Sequence, residues 1–121
     1  MGKAKVLIVE DNADLAELYA EVLKAEGHRT LIASTSAQAI KWLKQRRIKP
    51  DAVLLDMNLP DQSGLTVLSV IRRLPWLAKT RVIVSSGSSD LARQAINGWG
   101  ADLLLPKPIS MEHLLTAVVS A

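Results

Sequence analysis

Apolar runs alternate about five times with segments of helical periodicity along this chain. The runs predict strands at Lys5–Val9, Arg29–Ala33, Ala52–Leu55, Arg81–Ser85 and Asp102–Leu105. Short runs that are apolar throughout are typical of parallel strands covered on both faces of a sheet. Repeated βα units build such a sheet. We therefore predict an α/β fold that forms one domain over residues 1–121.

Helices are predicted between and after these strands. The first presents one apolar face, at Leu15, Leu18, Tyr19, Val22 and Leu23, and ends near Gly27. The second helix follows Ser34-Thr35-Ser36, and the third covers about Gly64–Arg73. The fourth follows Ser88-Ser89-Asp90, and the last follows Ser110. Each helix connects one strand to the next or follows the last strand, which completes the βα pattern.

Composition excludes several classes of protein. The chain has no cysteine, so disulfides and thiolate metal sites are ruled out. The amino-terminal apolar run, Val6–Val9, is too short for a signal peptide or a membrane span. We expect a soluble, cytoplasmic protein that does not engage a membrane.

The chain is basic, with a net charge of +3. Part of this charge surrounds the predicted second helix, at Lys41, Lys44, Arg46, Arg47 and Lys49. Such a patch can meet nucleic acid or an acidic partner. No aromatic or glycine-rich element accompanies it, which favours a solvated helix face. Direct nucleic-acid binding is therefore not expected.

Three carboxylates follow two of the predicted strands. Glu10 and Asp11 come after the first strand, and Asp56 comes after the third. Open α/β sheets place their chemistry just beyond the carboxyl ends of the strands, so these acids are expected in one crevice. Carboxylates this close repel one another unless a cation or a shared proton joins them. For Glu10 and Asp11, capping of the first helix is an equally plausible role.

The residues around these acids favour a cation. Carboxylate oxygens suit Mg²⁺ or Mn²⁺, and the backbone carbonyl of Asn58 is placed to complete the coordination. Asp56 itself is either a phosphoryl acceptor, a third metal ligand or a loop acid. The segment Ser85-Ser86-Gly87, at the end of the fourth strand, adds a hydroxyl at the same edge, and Lys107, after the fifth, adds an ammonium that suits phosphate oxygens.

In the segments Asp56-Met57-Asn58-Leu59-Pro60, Gly64 and Lys107-Pro108, the chain resembles the receiver domain of two-component response regulators. The resemblance implies a doubly wound, flavodoxin-like fold of five parallel strands in the order 2-1-3-4-5, for which a chemotaxis member of the family is a standard example. It also implies a cis bond between Lys107 and Pro108.

The resemblance further implies a role for each site residue. Asp56 accepts a phosphoryl group from a sensor histidine kinase or a phosphotransfer protein. The magnesium ligands are Glu10, Asp11, Asp56 and the main-chain carbonyl of Asn58. Ser86 is the switch hydroxyl, Lys107 contacts phosphate, and Asn58 and Ser88 tune dephosphorylation. Such a domain is a signalling phosphoacceptor that promotes only its own phosphorylation and dephosphorylation, and it is not an enzyme.

The chain departs from the family pattern at two positions. Leu104 stands where the family has Tyr or Phe as the rotameric partner of the switch hydroxyl. Trp99 stands where a small residue is frequent, and with Arg93 it marks an output surface or a homodimer contact through the last two helices. A role for Trp99 in covering the domain's own surface is equally plausible.

Three other functions fit the residues less well than a receiver domain does. One is a phosphorylation-independent adaptor with the receiver fold, which Leu104 mildly favours. A haloacid dehalogenase-type hydrolase places its nucleophile after the first strand, whereas Asp56 follows the third. A flavodoxin is disfavoured because the loop after the first strand is acidic.

Overall fold

Every strand of the fold is followed by a helix. The computed structural model describes residues 3–87 and 89–119. The strands are β1 (Lys5–Val9), β2 (Arg29–Ala33), β3 (Ala52–Asp56), β4 (Arg81–Ser86) and β5 (Leu103–Pro106). The helices are α1 (Ala13–Ala25), α2 (Ser36–Leu43), α3 (Gly64–Arg73), α4 (Ser89–Gly98) and α5 (Met111–Val119), with a 3-10 turn at Pro75–Leu77. In the described ranges, no helix has the length and apolar character needed to cross a membrane.

The five strands form one parallel sheet in the order β2-β1-β3-β4-β5. This confirms the predicted fold class and strand order. The order reverses at β1, which has β2 on one side and β3 on the other. In doubly wound sheets, a crevice opens at the carboxyl ends of the strands where the order reverses. The ends of β1 and β3 therefore define the place for a functional site.

Two apolar layers cover the sheet because successive side chains of a strand point to opposite faces. From β3, Val53 and Leu55 join the layer under α2 and α3, whereas Ala52 and Leu54 join the layer under α1 and α5. All five residues of β3 are buried. This double burial explains why the central strands are apolar throughout.

The interior face of α1 differs from the prediction at one position. The buried residues of this helix are Ala16, Tyr19, Ala20 and Leu23. Leu18 is 44% exposed, so its assignment to the interior was wrong. The small residues Ala16 and Ala20 are fully buried because α1 packs closely on the sheet, which rotates Leu18 to the flank of the helix.

Candidate metal centre

The carboxyl ends of β1 and β3 bring three acids together. Val9 and Leu55 are register partners in the sheet, so the residues that follow them are neighbours. Glu10, Asp11 and Asp56 each place a carboxylate oxygen within 4.8 Å of the others. Glu10 and Asp56 are both 3% exposed, whereas Asp11 is exposed to solvent. The cluster therefore has two buried acids and one that opens to solvent.

Lys107 connects the two buried acids. Its Nζ donates to Glu10 Oε1 at 3.0 Å and to Asp56 Oδ2 at 3.1 Å. The Lys107 backbone N–H donates to the Ser86 carbonyl, which fixes the residue beside β4. The bond from Lys107 to Pro108 is cis, as the resemblance implied. The ammonium thus lies between acids contributed by two different strands.

The charges in this cluster do not balance. Burial raises the pKa of Glu10, and the nearby Asp56 adds to this effect, while hydrogen bonds from the Asn12 N–H and from Lys107 oppose it. Burial acts to lower the pKa of Lys107, but its hydrogen bonds to Glu10 and Asp56 raise that pKa overall. One ammonium faces three carboxylates, so the site has the charge and the oxygen donors that suit a divalent cation.

The start of α1 does not use either of the adjacent acids as its cap. Asn12 is the N-cap residue, and its side chain accepts from the Leu15 N–H at 3.1 Å. Glu10 Oε2 accepts only from the Asn12 N–H, which precedes the helix. Because Asn12 caps the helix, Glu10 and Asp11 are available for the crevice.

Asn58 connects the loop after β3 to the end of β4. Its backbone N–H donates to Asp56 Oδ1 at 2.9 Å, and its side-chain amide donates to Ser86 Oγ at 3.2 Å. Ser85 is the register partner of Asp56, but it is 1% exposed and its backbone carbonyl accepts from the Met57 N–H. The hydroxyl of Ser86 therefore contacts the loop that follows β3.

Gly64 lets α3 begin directly against the end of β3. A Cβ at this position would lie 2.6 Å from the Asp56 carbonyl oxygen and 2.5 Å from Met57 Cε. Real Cβ atoms do not approach backbone oxygen so closely, so any other residue would displace the loop. The glycine of the motif is therefore required by close packing behind the acid cluster.

Asp61 holds the same loop from its other side, and the sequence analysis did not select it. Its carboxylate accepts from the Ser36 and Ala37 N–H groups at 3.0 Å each, at the first turn of α2. These hydrogen bonds, that of Ser36 first, hold the pKa of Asp61 below its ordinary value. In the sequence, Asp61 is only an acid in a turn-rich loop, and this pattern does not predict a hydrogen-bond partner 25 residues away in the chain.

An apolar groove adjoins the acid cluster. A cavity of about 390 Å³ is lined by Leu15, Leu18, Tyr19, Lys107, Pro108, Ile109 and Met111. Lys107 belongs both to this groove and to the ion pairs with the acids. The exposed position of Leu18, which the helical pattern had placed inside, is part of this surface.

The remaining predicted residues lie apart from the acids. Leu104 is partly buried in the layer that contains Val84, its register partner. Trp99 is 43% exposed and lines a cavity of about 350 Å³ together with Arg93. Ser88 lies outside the described residues. His28 is buried at the amino end of the sheet, where its Nδ1 accepts from the Ala4 N–H.

Comparisons with known proteins agree on one family. The family model described as the response regulator receiver domain matches residues 6–119. Adventurous-gliding motility protein Z of Myxococcus xanthus is 37% identical over 91% of this chain and 8% of its own length. The chain spans at most half the length of the first three curated relatives that it matches.

Solved structures extend the agreement to the fold. The signal receiver domain of a protein assigned as a Luxo repressor, from Vibrio parahaemolyticus, is 36% identical, with a TM-score of 0.83 over 97% of this chain and 88% of that one. A Burkholderia pseudomallei response regulator with a phosphorylated aspartic acid, a calcium ion and citrate is 27% identical. Its TM-score is 0.83, over 98% of this chain and 68% of that one.

Proposed function

The chain belongs to the response regulator receiver domain family, and on this premise we propose that Asp56 is its phosphoryl acceptor. Receiver domains are the signalling phosphoacceptors of two-component systems. In this proposal the donor is a sensor histidine kinase or a phosphotransfer protein in the cytoplasm. The observation that carries it is the position of Asp56, which lies in a cluster of excess negative charge and is in contact with an ammonium.

The residues around Asp56 fit Mg²⁺. The carboxylates of Glu10, Asp11 and Asp56 are hard oxygen donors within reach of one ion, and the main-chain carbonyl of Asn58 is the proposed fourth protein ligand. When bound, the ion supplies positive charge that offsets the negative charge on phosphoryl oxygens. Mn²⁺ suits the same oxygen donors.

In this proposal Asp56 and Lys107 have different roles in the transfer of the phosphoryl group. A carboxylate oxygen of Asp56 forms a bond to phosphorus while the bond from phosphorus to the donor's histidine nitrogen breaks, and the electron pair of the broken bond stays on that nitrogen. Lys107, already 3.1 Å from Asp56 Oδ2, donates to the phosphoryl oxygens and stabilises their charge. The product is an acyl phosphate on Asp56.

Ser86 and Leu104 are the proposed elements of the response. In the structure Ser86 Oγ accepts from the Asn58 side chain. A phosphoryl group on Asp56 offers that hydroxyl a charged acceptor, so phosphorylation favours a state in which Ser86 has moved. In this proposal Leu104 repacks with it, and the last two helices, with Trp99 and Arg93, present the surface that partners or a second copy read. Asn58 and Ser88 tune the lifetime of the phosphorylated state.

Incubation with acetyl phosphate and Mg²⁺, followed by intact-mass spectrometry, tests the proposal. The unsubstituted protein is expected to gain the mass of one phosphoryl group, and Asp56→Asn is expected to gain none. Glu17→Gln is the matched control, because Glu17 is an exposed acid on α1 and is expected to leave the gain unchanged. Absence of any gain in the unsubstituted protein would favour the phosphorylation-independent adaptor, and an undiminished gain in Asp56→Asn would contradict Asp56 as the acceptor.

A further inference from the structure

A second concave site lies at the amino-terminal edge of the sheet, opposite the acid cluster. It has a volume of about 340 Å³ and is lined by four basic side chains, those of Lys3, Lys5, Arg29 and Lys49, and by Asp51. We call it the basic pocket. Its residues come from the segment before β1, the starts of β1 and β2, and the connection into β3. The fold therefore gathers bases from separate parts of the chain into one cavity.

The strand register forces two of these bases together. Lys5 and Arg29 are Cα partners in the parallel ladder between β1 and β2, so their side chains leave the sheet on the same face. Like charges on neighbouring strands destabilise a sheet when nothing offsets them. Asp51 is bonded to the same strand, since its N–H donates to the Lys5 carbonyl, and this hydrogen bond draws the segment that carries Lys49 towards the pocket.

The protein offsets only part of the positive charge of the basic pocket. Among the side chains that the structure describes, those of residues 3–87 and 93–119, the ion pairs are Arg72 with Asp102 and Lys107 with Glu10 and Asp56, and none includes a base of the pocket. Lys3 Nζ donates to the Glu26 carbonyl, which is neutral. Among the described residues, Asp51 is the one acid that lines the pocket, and its Oδ2 accepts from the Lys5 backbone N–H. Four cations thus face one carboxylate.

We propose that the basic pocket binds a small oligophosphate anion, with two or three linked phosphate groups. A cavity of this volume is in the range of small-molecule sites, and a polyvalent anion offsets several bases at once. The Arg29 guanidinium matches phosphate oxygens in a two-pronged geometry, while the lysines act as mobile point charges. The described residues that line the pocket include no aromatic side chain, so they do not provide the stacking surface of a single-strand nucleic-acid site.

This inference is independent of the phosphoryl-acceptor function. The pocket shares no residue with the acid cluster and lies at the other end of the strands. The rest of the basic group around α2 also lies outside it, since Arg46 stacks over Trp76 at 5.0 Å and Lys41 is exposed on the helix. Lys49 is the only member of that group that lines the pocket.

Calorimetric titration with inorganic tripolyphosphate, without divalent cations and at low salt, tests the proposal. We expect saturable binding that weakens as salt is added, and binding of orthophosphate that is at least about tenfold weaker. Arg29→Gln and Lys49→Gln are each expected to weaken tripolyphosphate binding about tenfold, since each removes a charge-assisted hydrogen bond. Lys41→Gln, the matched control, is expected to bind as the unsubstituted protein does.

A second measurement separates lost binding from lost folding. Without the anion, the melting temperature of the double variant Arg29→Gln/Lys49→Gln is expected to equal or exceed that of the unsubstituted protein, because repulsion is relieved. With tripolyphosphate, only the unsubstituted protein and Lys41→Gln are expected to gain thermal stability. The mass gain on Asp56 is expected in all of these proteins.

Four outcomes would overturn the basic pocket as an oligophosphate site. The first is that tripolyphosphate shows no saturable binding, and the second is that Lys41→Gln weakens its binding as much as the pocket variants do. The third is that Arg29→Gln and Lys49→Gln both leave its binding unchanged. The fourth is that duplex DNA binds more tightly than tripolyphosphate and that this binding depends on Lys41. The third and fourth outcomes would show that anions bind to a broad basic surface and not to the pocket. None of the four bears on phosphorylation of Asp56, which is measured separately.

Discussion

The amino and carboxyl ends of the sheet each carry a cluster of charged side chains, and the two clusters differ in their charge balance. At the amino end, Arg72 pairs with Asp102 and also donates to the carbonyls of Gly100 and Thr80, at 2.9 to 3.0 Å. At the carboxyl end, Lys107 pairs with Glu10 and Asp56 beside a third acid, Asp11. The first cluster matches one cation with one anion, whereas the second has three anions for one cation.

The difference teaches how to distinguish a structural ion pair from a functional one. The guanidinium of Arg72 has partners on two segments, one before β4 and one before β5. Asp102 also accepts from the Val82 N–H, so this cluster joins α3, β4 and β5. The cluster around Asp56 has two buried acids and carries charge that its own residues leave unmatched. Excess like charge in a buried place costs free energy of folding, and it is retained where a ligand supplies the opposite charge.

The largest expected effect is a loss of unfolding free energy in a Lys107 variant that Mg²⁺ restores. Lys107→Gln leaves Glu10 and Asp56 buried without a cation, and loss of one partner of a buried ion pair costs about 3 kcal/mol. We expect that loss of unfolding free energy without Mg²⁺, and recovery of most of it with Mg²⁺. Urea unfolding followed by circular dichroism, with and without the ion, measures both values. An equal loss under the two conditions would contradict the assignment of excess charge to this site.

A smaller effect, with no response to the ion, is expected at the amino end. Arg72→Ala removes hydrogen bonds to two carbonyls and one carboxylate, at a cost of about 2 kcal/mol of unfolding free energy. The same urea titrations are expected to show this loss both with and without Mg²⁺. Arg73→Ala, a neighbouring and exposed arginine, is the control and is expected to change little. A loss that Mg²⁺ reverses would remove the contrast between the ends.

The smallest effect concerns Asp61, a carboxylate near the site whose partners are neutral N–H groups. Its pKa is lower in the folded state than the ordinary value of 3.8, so its contribution to stability is present above pH 3.8 and is lost as the pH falls through the folded-state pKa. Asp61→Asn keeps an acceptor oxygen and removes this pH dependence. Melting temperatures of the two proteins are therefore expected to differ at neutral pH and to converge in acid. Parallel curves would contradict the assigned hydrogen bonds.

The strands and most element boundaries could be predicted because they depend on local pattern, whereas the strand order followed from the resemblance to the receiver domain. The apolar runs of β1 and β2 predicted those strands without error. β5 begins at Leu103 and not at Asp102, because the Asp102 side chain is engaged by Arg72 and by the Val82 N–H. That contact joins residues 20 and 30 positions apart, which no local pattern reports.

The candidate site could be predicted only in part, because some of its contacts join residues that are far apart in the chain. The strand-end pattern predicted that Glu10, Asp11 and Asp56 lie close together, and the structure places them so. The bridge made by Lys107 joins residues 97 and 51 positions apart and depends on packing of the whole sheet. Lys49 was grouped with the bases of α2, because its direction depends on the path of the chain into β3. The roles of these residues stay predictions until the substitutions are measured.

The cap at Asn12 has a consequence for how such a chain can diverge. Asn12, and neither of the acids before it, caps the first turn of α1. The candidate metal ligands and the cap of the helix are therefore encoded by different neighbours in one short loop. Descendants of this sequence can lose the acid cluster while they keep the cap of the helix that follows it.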